Sequence, residues 1–380
     1  MEKKIKEIIF FATGDSSKAS TWSNVPYMFT ETLLRKGIKI DRVNLTQTFG
    51  YKLFTKVGGV IHKVLNLFYP NNQYAYSRSA LFMFLTNRLV KKSVRRYHNA
   101  DLCIFTNFDF YNKYSDIPTL MFCDWTYKIL IQDHLGREPY FFEKRFPLWE
   151  KKALESADYV VSLFPMCAKM MKESSPNANI HYLGKNVVNN LYDGVHDIES
   201  FIKKKITKRN ILFIGGRKYI DGAKLLINAV AALSKKYDDI RLHIVGMKEE
   251  NFDNLPDVIK CYGYLRKEDE KERELYYELM IGSRIIVNPS KEWAGYSSMI
   301  EAMFFATPVV VSPYKDFVEE FGKDIDFGAY SPEYDVSTLA NTICRVLESK
   351  DYPSLCRNAY ERVKDYTWSN YVDRVLSLVK

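Results

Sequence analysis

Two short runs of largely β-branched residues, uncharged toward their centres, bracket the most constraining stretch of the chain, Ser283 to Ser312: SRIIVNPSKEWAGYSSMIEAMFFATPVVVS. Residues 284–287 and 308–311 read as strands buried on both faces, the pattern of a parallel sheet covered by helices. Parallel neighbours need a crossover, and the residues between supply one: a loop over 289–296, then a helix beginning near Ser297 and Ser298. Ser298 is a natural N-cap, and Glu301 follows it in the spacing of a capping box. In an open α/β sheet such a loop stands at the carboxyl ends of the strands, where ligands bind. Unpaired amides at the helix start, next to Gly295, offer a seat for phosphate. Taken alone, Glu301 is a capping partner and Glu292 a solvated loop carboxylate.

The chain has 380 residues, too many for one ordinary core and suited to two domains, and its 47% hydrophobic content can fill both. An αβ alternation recurs on both sides of a boundary after Val188. Before it, strands read at 5–13, 38–44, 102–106, 119–123, 159–163 and 180–183; after it, at 210–214, 241–245 and 258–262. Residues 189–209, with the basic run IKKKITKR, read as a connection between the domains. The six cysteines form no CxxC and no cluster with histidine, so neither a zinc site nor a disulfide framework is indicated, and a reducing cytoplasm fits. The apolar run near the start is too short for a signal peptide, and no stretch reaches the ~18 apolar residues of a membrane span.

Three places carry candidate chemistry. Gly14, Asp15 and Lys18 lie in the loop after the first strand, where a phosphate or sugar can sit; with no GxGxxG, a dinucleotide site is not expected. Asp124 follows the strand 119–123 at its carboxyl end, where it serves in chemistry or caps the next turn. Gly215-Gly216-Arg217-Lys218 follows the first strand of the second half. There an arginine fork and exposed amides can neutralise a diphosphate.

Charge is uneven. Residues 42–100 hold ten Lys or Arg and no Asp or Glu, against a net charge of +9 for the whole chain. A helix is expected over 80–99, with Leu81, Phe82, Leu85, Leu89 and Tyr97 packing and Arg88, Lys91, Lys92, Arg95 and Arg96 forming a basic patch. Such a surface suits anionic lipid headgroups or a lipid-phosphate acceptor, and a plain solvated helix is the bland alternative. No recognition motif for nucleic acid accompanies it, and no nucleic-acid partner is expected.

The string 289–311 resembles the signature of the family-4 retaining glycosyltransferases of GT-B fold, carried here by Pro289-Ser290, Glu292, Gly295, Glu301, Ala302-Met303 and Pro308-Val309-Val310. Family members place the two glutamates eight positions apart, whereas Glu292 and Glu301 are separated by nine. The resemblance implies two Rossmann-like domains facing across a cleft. Residues 1–188 form the acceptor side, 205–365 the nucleotide-sugar side, and a last helix, 366–380, packs back on the first domain. It further implies a metal-independent hexosyltransferase with a UDP- or GDP-sugar as donor, no permanently bound cofactor, and a glycan or lipid-linked acceptor. The setting would be cell-surface polysaccharide or glycolipid synthesis, in the cytoplasm or peripherally on the inner face of the membrane. In that frame Glu292, Asp124 and Arg217 carry the chemistry. Gly215, Gly216, Arg217, Lys218, Tyr264, Gly295, Tyr296, Ser297, Ser298 and Glu301 bind the donor, Glu301 through its ribose hydroxyls. Gly14, Asp15 and Lys18 face the acceptor. Family members carry a histidine before the aspartate where this chain has Cys123-Asp124, and a lysine where it has Asp221. Asp324 and Asp326 read as surface, and no metal site is expected. A GT-B sugar-nucleotide epimerase and a non-catalytic carbohydrate- or lipid-binding protein are the alternatives.

Overall fold

The computed structural model describes residues 5–291 and 295–380. Two compact units emerge, Met1–Asn186 with Trp368–Lys380, and Val187–Thr367.

The first unit is built on six parallel strands: β1 (Glu7–Ala12), β2 (Lys39–Asn44), β3 (Leu102–Phe105), β4 (Thr119–Cys123), β5 (Tyr159–Ser162) and β6 (Ile180–Tyr182). Their spatial order is β2-β1-β3-β4-β5-β6. Central strands have no wet face: Ile8 through Ala12 and Leu102 through Phe105 are all fully buried, as in sheets covered on both sides. The cover comes from α1 (Val25–Arg35), α2 (Tyr51–Phe68), α3 (Ala80–Arg96), a single turn α4 (Tyr127–Ile129), α5 (Arg145–Ser156) and α6 (Pro165–Ser174).

The second unit repeats the plan with β7 (Arg209–Ile214), β8 (Ile240–Val245), β9 (Ile259–Cys261), β10 (Ile285–Asn288), β11 (Val309–Val311) and β12 (Gly328–Tyr330), ordered β12-β11-β10-β7-β8-β9 and all parallel. From β7 the chain first builds outward through β8 and β9, then returns to lay β10 on the other side of β7. The carboxyl ends of β7 and β10 are therefore the switch point, where adjacent loops diverge and leave a crevice. Its helices are α7 (Ile198–Ile206), α8 (Ile220–Leu233), α9 (Glu270–Gly282), α10 (Ser297–Phe304), α11 (Lys315–Phe321), α12 (Val336–Leu347) and α13 (Tyr352–Val363). The last helix, α14 (Trp368–Leu378), belongs to the first unit. Its Trp368 ring lies 5.4 Å from Phe29, Tyr371 lies 5.7 Å from Phe122, and Lys36 pairs with Asp373 at 2.9 Å.

Two expectations need correction, and one helix was not anticipated. Residues 189–209 are not a bare connection, because they contain α7. Its Lys205 is wholly buried and its Nζ donates to the carbonyls of Met280, Ile281 and Ser283, at 3.0, 2.8 and 3.4 Å. A lysine from one helix thus satisfies the orphan carbonyls ending another, α9. On α3, Leu81 is exposed rather than packed; the inward face is Phe82, Thr86, Val90, Ser93 and Val94. The eighteen-residue α2 has no counterpart in the sequence reading. Lys205→Met leaves those buried carbonyls without a donor, so its unfolding free energy should fall by about 1–3 kcal/mol in denaturant titration.

Candidate functional site

The crevice of the second unit is shaped by glycines. Gly246, at the end of β8, has φ +102°, and a Cβ there would stand 2.5 Å from the Gly215 carbonyl oxygen, so the β7 and β8 loops touch through backbone alone. Gly222, in the first turn of α8, faces Ser290: a Cβ would meet its Oγ at 2.2 Å and its Cα at 3.1 Å. That contact, with the hydrogen bond from Ser312 Oγ to the Ser290 carbonyl, seats the loop after β10 directly over the start of α8.

Gly216, Arg217 and Lys218 are exposed at this switch point. A one-turn 3-10 helix, Arg217–Tyr219, runs into α8, so the first amides of the turn have no intrahelical acceptor. Among the described residues Arg217 makes no ion pair, and its fork is available for an anion. Tyr264 follows Gly263 (φ +68°) and is exposed, an aromatic face at the end of β9. Gly295, Ser297 and Ser298 open α10. Tyr296 does not offer its ring to a ligand: it is fully buried, edge-on to Phe317 at 5.6 Å and Phe321 at 5.8 Å. Glu292 lies outside the described residues. Asp324 and Asp326 are exposed, as read from the sequence.

The capping box does not form. Tyr296 is the N-cap of α10, without a side-chain cap, and Glu301 turns into the protein instead. Its carboxylate accepts from Lys267 Nζ at 2.6 and 2.8 Å, from Tyr276 Oη at 2.9 Å and from Tyr277 Oη at 3.1 Å. Those donors fill the acceptor sites of a carboxylate. Lys267 also donates to the Asn189 carbonyl at 3.2 Å, and Tyr277 Oη accepts from Leu191 N at 2.7 Å. Burial pulls the Lys267 ammonium below its ordinary range, with the Glu301 carboxylate opposing the shift.

At the carboxyl ends of the first unit's sheet the chemistry is acidic. Asp124 Oδ1 accepts from Trp125 N at 3.0 Å and lies 3.1 Å from the Cys123 thiol, which burial and the neighbouring carboxylate push well up. Two further carboxyls, not singled out in the sequence, belong to the same unit, Asp109 acting on both the Cys123 thiol and Glu150. Glu150, from α5, accepts the Tyr127 amide at 2.8 Å. Asp109 follows β3 as Asp124 follows β4, and the carboxyl-end criterion applied to Asp124 finds it too. Burial raises Asp109 to about 6, Arg78 opposing, and lifts Glu150 well above the carboxylate range, Asp109 adding to the lift. In the β1 loop, Gly14 has φ +116° and Asp15 builds a turn by accepting from Ser17 N and Oγ at 3.0 and 2.7 Å, while Lys18 is exposed. Trp22, Ser23 and Asn24 all have positive φ, a strained run of the kind that persists where surrounding structure over-determines it.

A cavity of about 710 Å³ in the second unit, lined by Asn210, His243, Lys260 and Arg273 among others, lies toward the amino ends of β7 and β10. It is on the wrong side of the sheet for the crevice chemistry.

Both units together have the GT-B fold. The sucrose-phosphate synthase of Thermosynechococcus elongatus superposes with TM-score 0.65 at 17% identity, over 98% of this chain and 98% of its own. WaaG, a glycosyltransferase involved in lipopolysaccharide biosynthesis, superposes at 0.66 with 11% identity, over 98% and 99%. HepE of Anabaena, solved in complex with UDP-glucose, does so at 0.62 with 15% identity, over 98% and 99%. Residues 208–349 match the family described as Glycosyl transferases group 1. No curated protein matches it in sequence.

Two outcomes follow from the buried charges. Glu301→Ala strands the Lys267 ammonium and should cost about 3–5 kcal/mol of stability, whereas Glu301→Met with Lys267→Met should recover a large part of it in thermal melts. Asp109 is raised above its unfolded value, so the folded state holds the proton more tightly and stability falls as pH rises from about 4 to 6. Asp109→Asn should flatten that segment of the stability–pH curve and leave the protein more stable than the parent at pH 8.

Proposed function

We propose that this protein transfers a hexose from a UDP- or GDP-sugar to a glycan or lipid-linked acceptor, with retention at the anomeric carbon, in making a cell-surface polysaccharide or glycolipid. The observation that carries the reading is the switch point of the second unit, where the 3-10 turn of Arg217, which makes no ion pair among the described residues, leads into α8, whose Gly222 faces Ser290. In the transfer, an acceptor hydroxyl oxygen bonds to the anomeric carbon as that carbon's bond to the diphosphate breaks, and the negative charge that grows on the departing phosphate takes up the hydroxyl proton. Arg217, Lys218 and the amides of that turn suit this charge, preorganised rather than recruited from water. Tyr264 suits stacking on the base. HepE, solved with UDP-glucose, supports the donor class.

Glu301 is proposed to reach the ribose by exchange. Its donor Lys267 has a second acceptor in the Asn189 carbonyl, so the ammonium can turn aside as two ribose hydroxyls arrive. Glu292 is proposed to lie near the sugar. Asp124 and the Gly14, Asp15 and Lys18 turn are proposed to take the acceptor, with no metal or permanent cofactor. Exposed Arg88, Lys91, Lys92, Arg95 and Arg96 on α3, in a segment without a single acid, support cytoplasmic, peripheral attachment to an anionic membrane.

A calorimetric screen of nucleoside-diphosphate sugars, followed by turnover with and without acceptor, tests the reading; nucleotide-sugar conversion without acceptor would make it an epimerase. Arg217→Ala should lower kcat/KM by on the order of 100-fold, and a loss below about threefold would place the diphosphate elsewhere.

A further inference from the structure

The helix α2 has two apolar faces, and the protein covers one of them. Its inner side packs through Tyr51 and Phe54 on Tyr76, with ring centroids 6.0 and 5.2 Å apart, and Gly58 lets the backbones close in, since a Cβ there would stand 3.2 Å from the Tyr76 amide nitrogen. On the outer side Leu53, Val57, Val60, Val64 and Leu67 recur at steps of four and three and share an arc of about 80°. All five are exposed, Leu67 at 78%, with Phe49 at 85% and Phe68 at 74% at the two ends. A continuous apolar stripe of this kind on a soluble surface marks an interaction site.

We propose that α2 is a membrane-seating helix whose outer stripe sinks into the interface of an anionic lipid bilayer, lying in the plane. This rests on the peripheral attachment proposed above, yet assigns it to different residues and to apolar insertion rather than charge. Three features select a lipid surface. Lys52, Lys56 and Lys63 line one flank of the stripe, placed to reach headgroup phosphates while the stripe enters the acyl boundary. The four–three spacing also fits a second helix, but a paired helix wants opposite charges beside the seam, and no acid occurs between residues 42 and 100. Two copies would bring lysines to a seam with nothing to neutralise them. Finally, the stripe is continuous with the basic row of α3, because Phe49 lines a cavity of about 330 Å³ together with Arg88 and Lys92. At the far end Tyr69 touches Phe141, itself exposed, which extends the apolar surface. No helix of the described residues is long and apolar enough to cross a membrane, and α2 spans about 27 Å, so it lies on the bilayer.

The test is sedimentation of the full chain with phosphatidylcholine vesicles, with and without phosphatidylglycerol. The variant with Leu53, Val57, Val60, Val64 and Leu67 all changed to Gln alters only outward side chains and should melt like the parent. It should bind the phosphatidylglycerol vesicles at least about tenfold more weakly. The parent should retain part of its binding in high salt, whereas the variant with Arg88, Lys91, Lys92, Arg95 and Arg96 changed to Gln should lose only part of the salt-sensitive binding, that of Lys52, Lys56 and Lys63 remaining, and keep the salt-resistant part. Parent-like binding by the apolar variant would overturn the role of α2 while leaving peripheral attachment standing. A parent that ignores both vesicles would overturn the attachment as well, and a dimer that the apolar variant converts to monomer in ultracentrifugation would give the stripe to a second copy. Calorimetry with UDP-glucose and GDP-mannose reads the donor proposal independently, and the apolar variant should match the parent there.

Discussion

The carboxylate of Glu301 is the constraint around which the second unit closes. An ionised group taken out of water must find its partners inside, at a penalty of several kcal/mol if it does not. Here the partners come from separate stretches of chain: Lys267 beyond β9, Tyr276 and Tyr277 on α9, and, through these, Asn189 and Leu191 at the unit's beginning. Satisfying one side chain therefore fixes the start of the unit, α9 and α10 against one another. Buried charge serves here as a positional device more than as a source of stability.

Strands were readable because their physics is local. A run such as Ile285–Asn288, with no polar face and with polar residues at its edges, has little choice but a buried strand, and the helix-then-strand order settled the parallel sheets. The Gly-Gly-Arg turn was readable for the same reason, its glycines and cation being contiguous. What escaped is tertiary. The Ser298–Glu301 spacing satisfied a capping rule, yet a buried ammonium and two phenols are stronger partners for a carboxylate than an amide at an exposed helix start. The lysines of α7 read as part of a connection between the domains, although Lys205 is among the most buried side chains. The periodicity of α2 was masked because its outward residues are as apolar as its inward ones, so no polar face marks the helix. Asp109 and Glu150 meet only because two strand ends and a helix bring them together.

The two sheets end in opposite chemistry. At the carboxyl ends of the second unit stand amides and cations, which suit a diphosphate. At those of the first stand Asp109, Asp124 and Glu150, which suit hydroxyl groups. Burial holds Asp109 near the middle of the physiological acid range, where a carboxyl can both release and accept a proton. One α/β plan, used twice, thus presents two complementary surfaces through a handful of loop residues.

The return of α14 to the first unit has a consequence for how the protein is made. Trp368 and Tyr371 are buried against Phe29 and Phe122, so a ribosome that has released the first 186 residues has produced a domain with those aromatic faces still wet. The unit begun first is finished last, after the whole of the second has emerged. During that interval the nascent chain carries an open apolar site, which makes it a candidate client for chaperones and sensitive to anything that stalls translation late. A stop codon just ahead of Trp368 would injure the oldest part of the molecule rather than the part it adjoins in sequence.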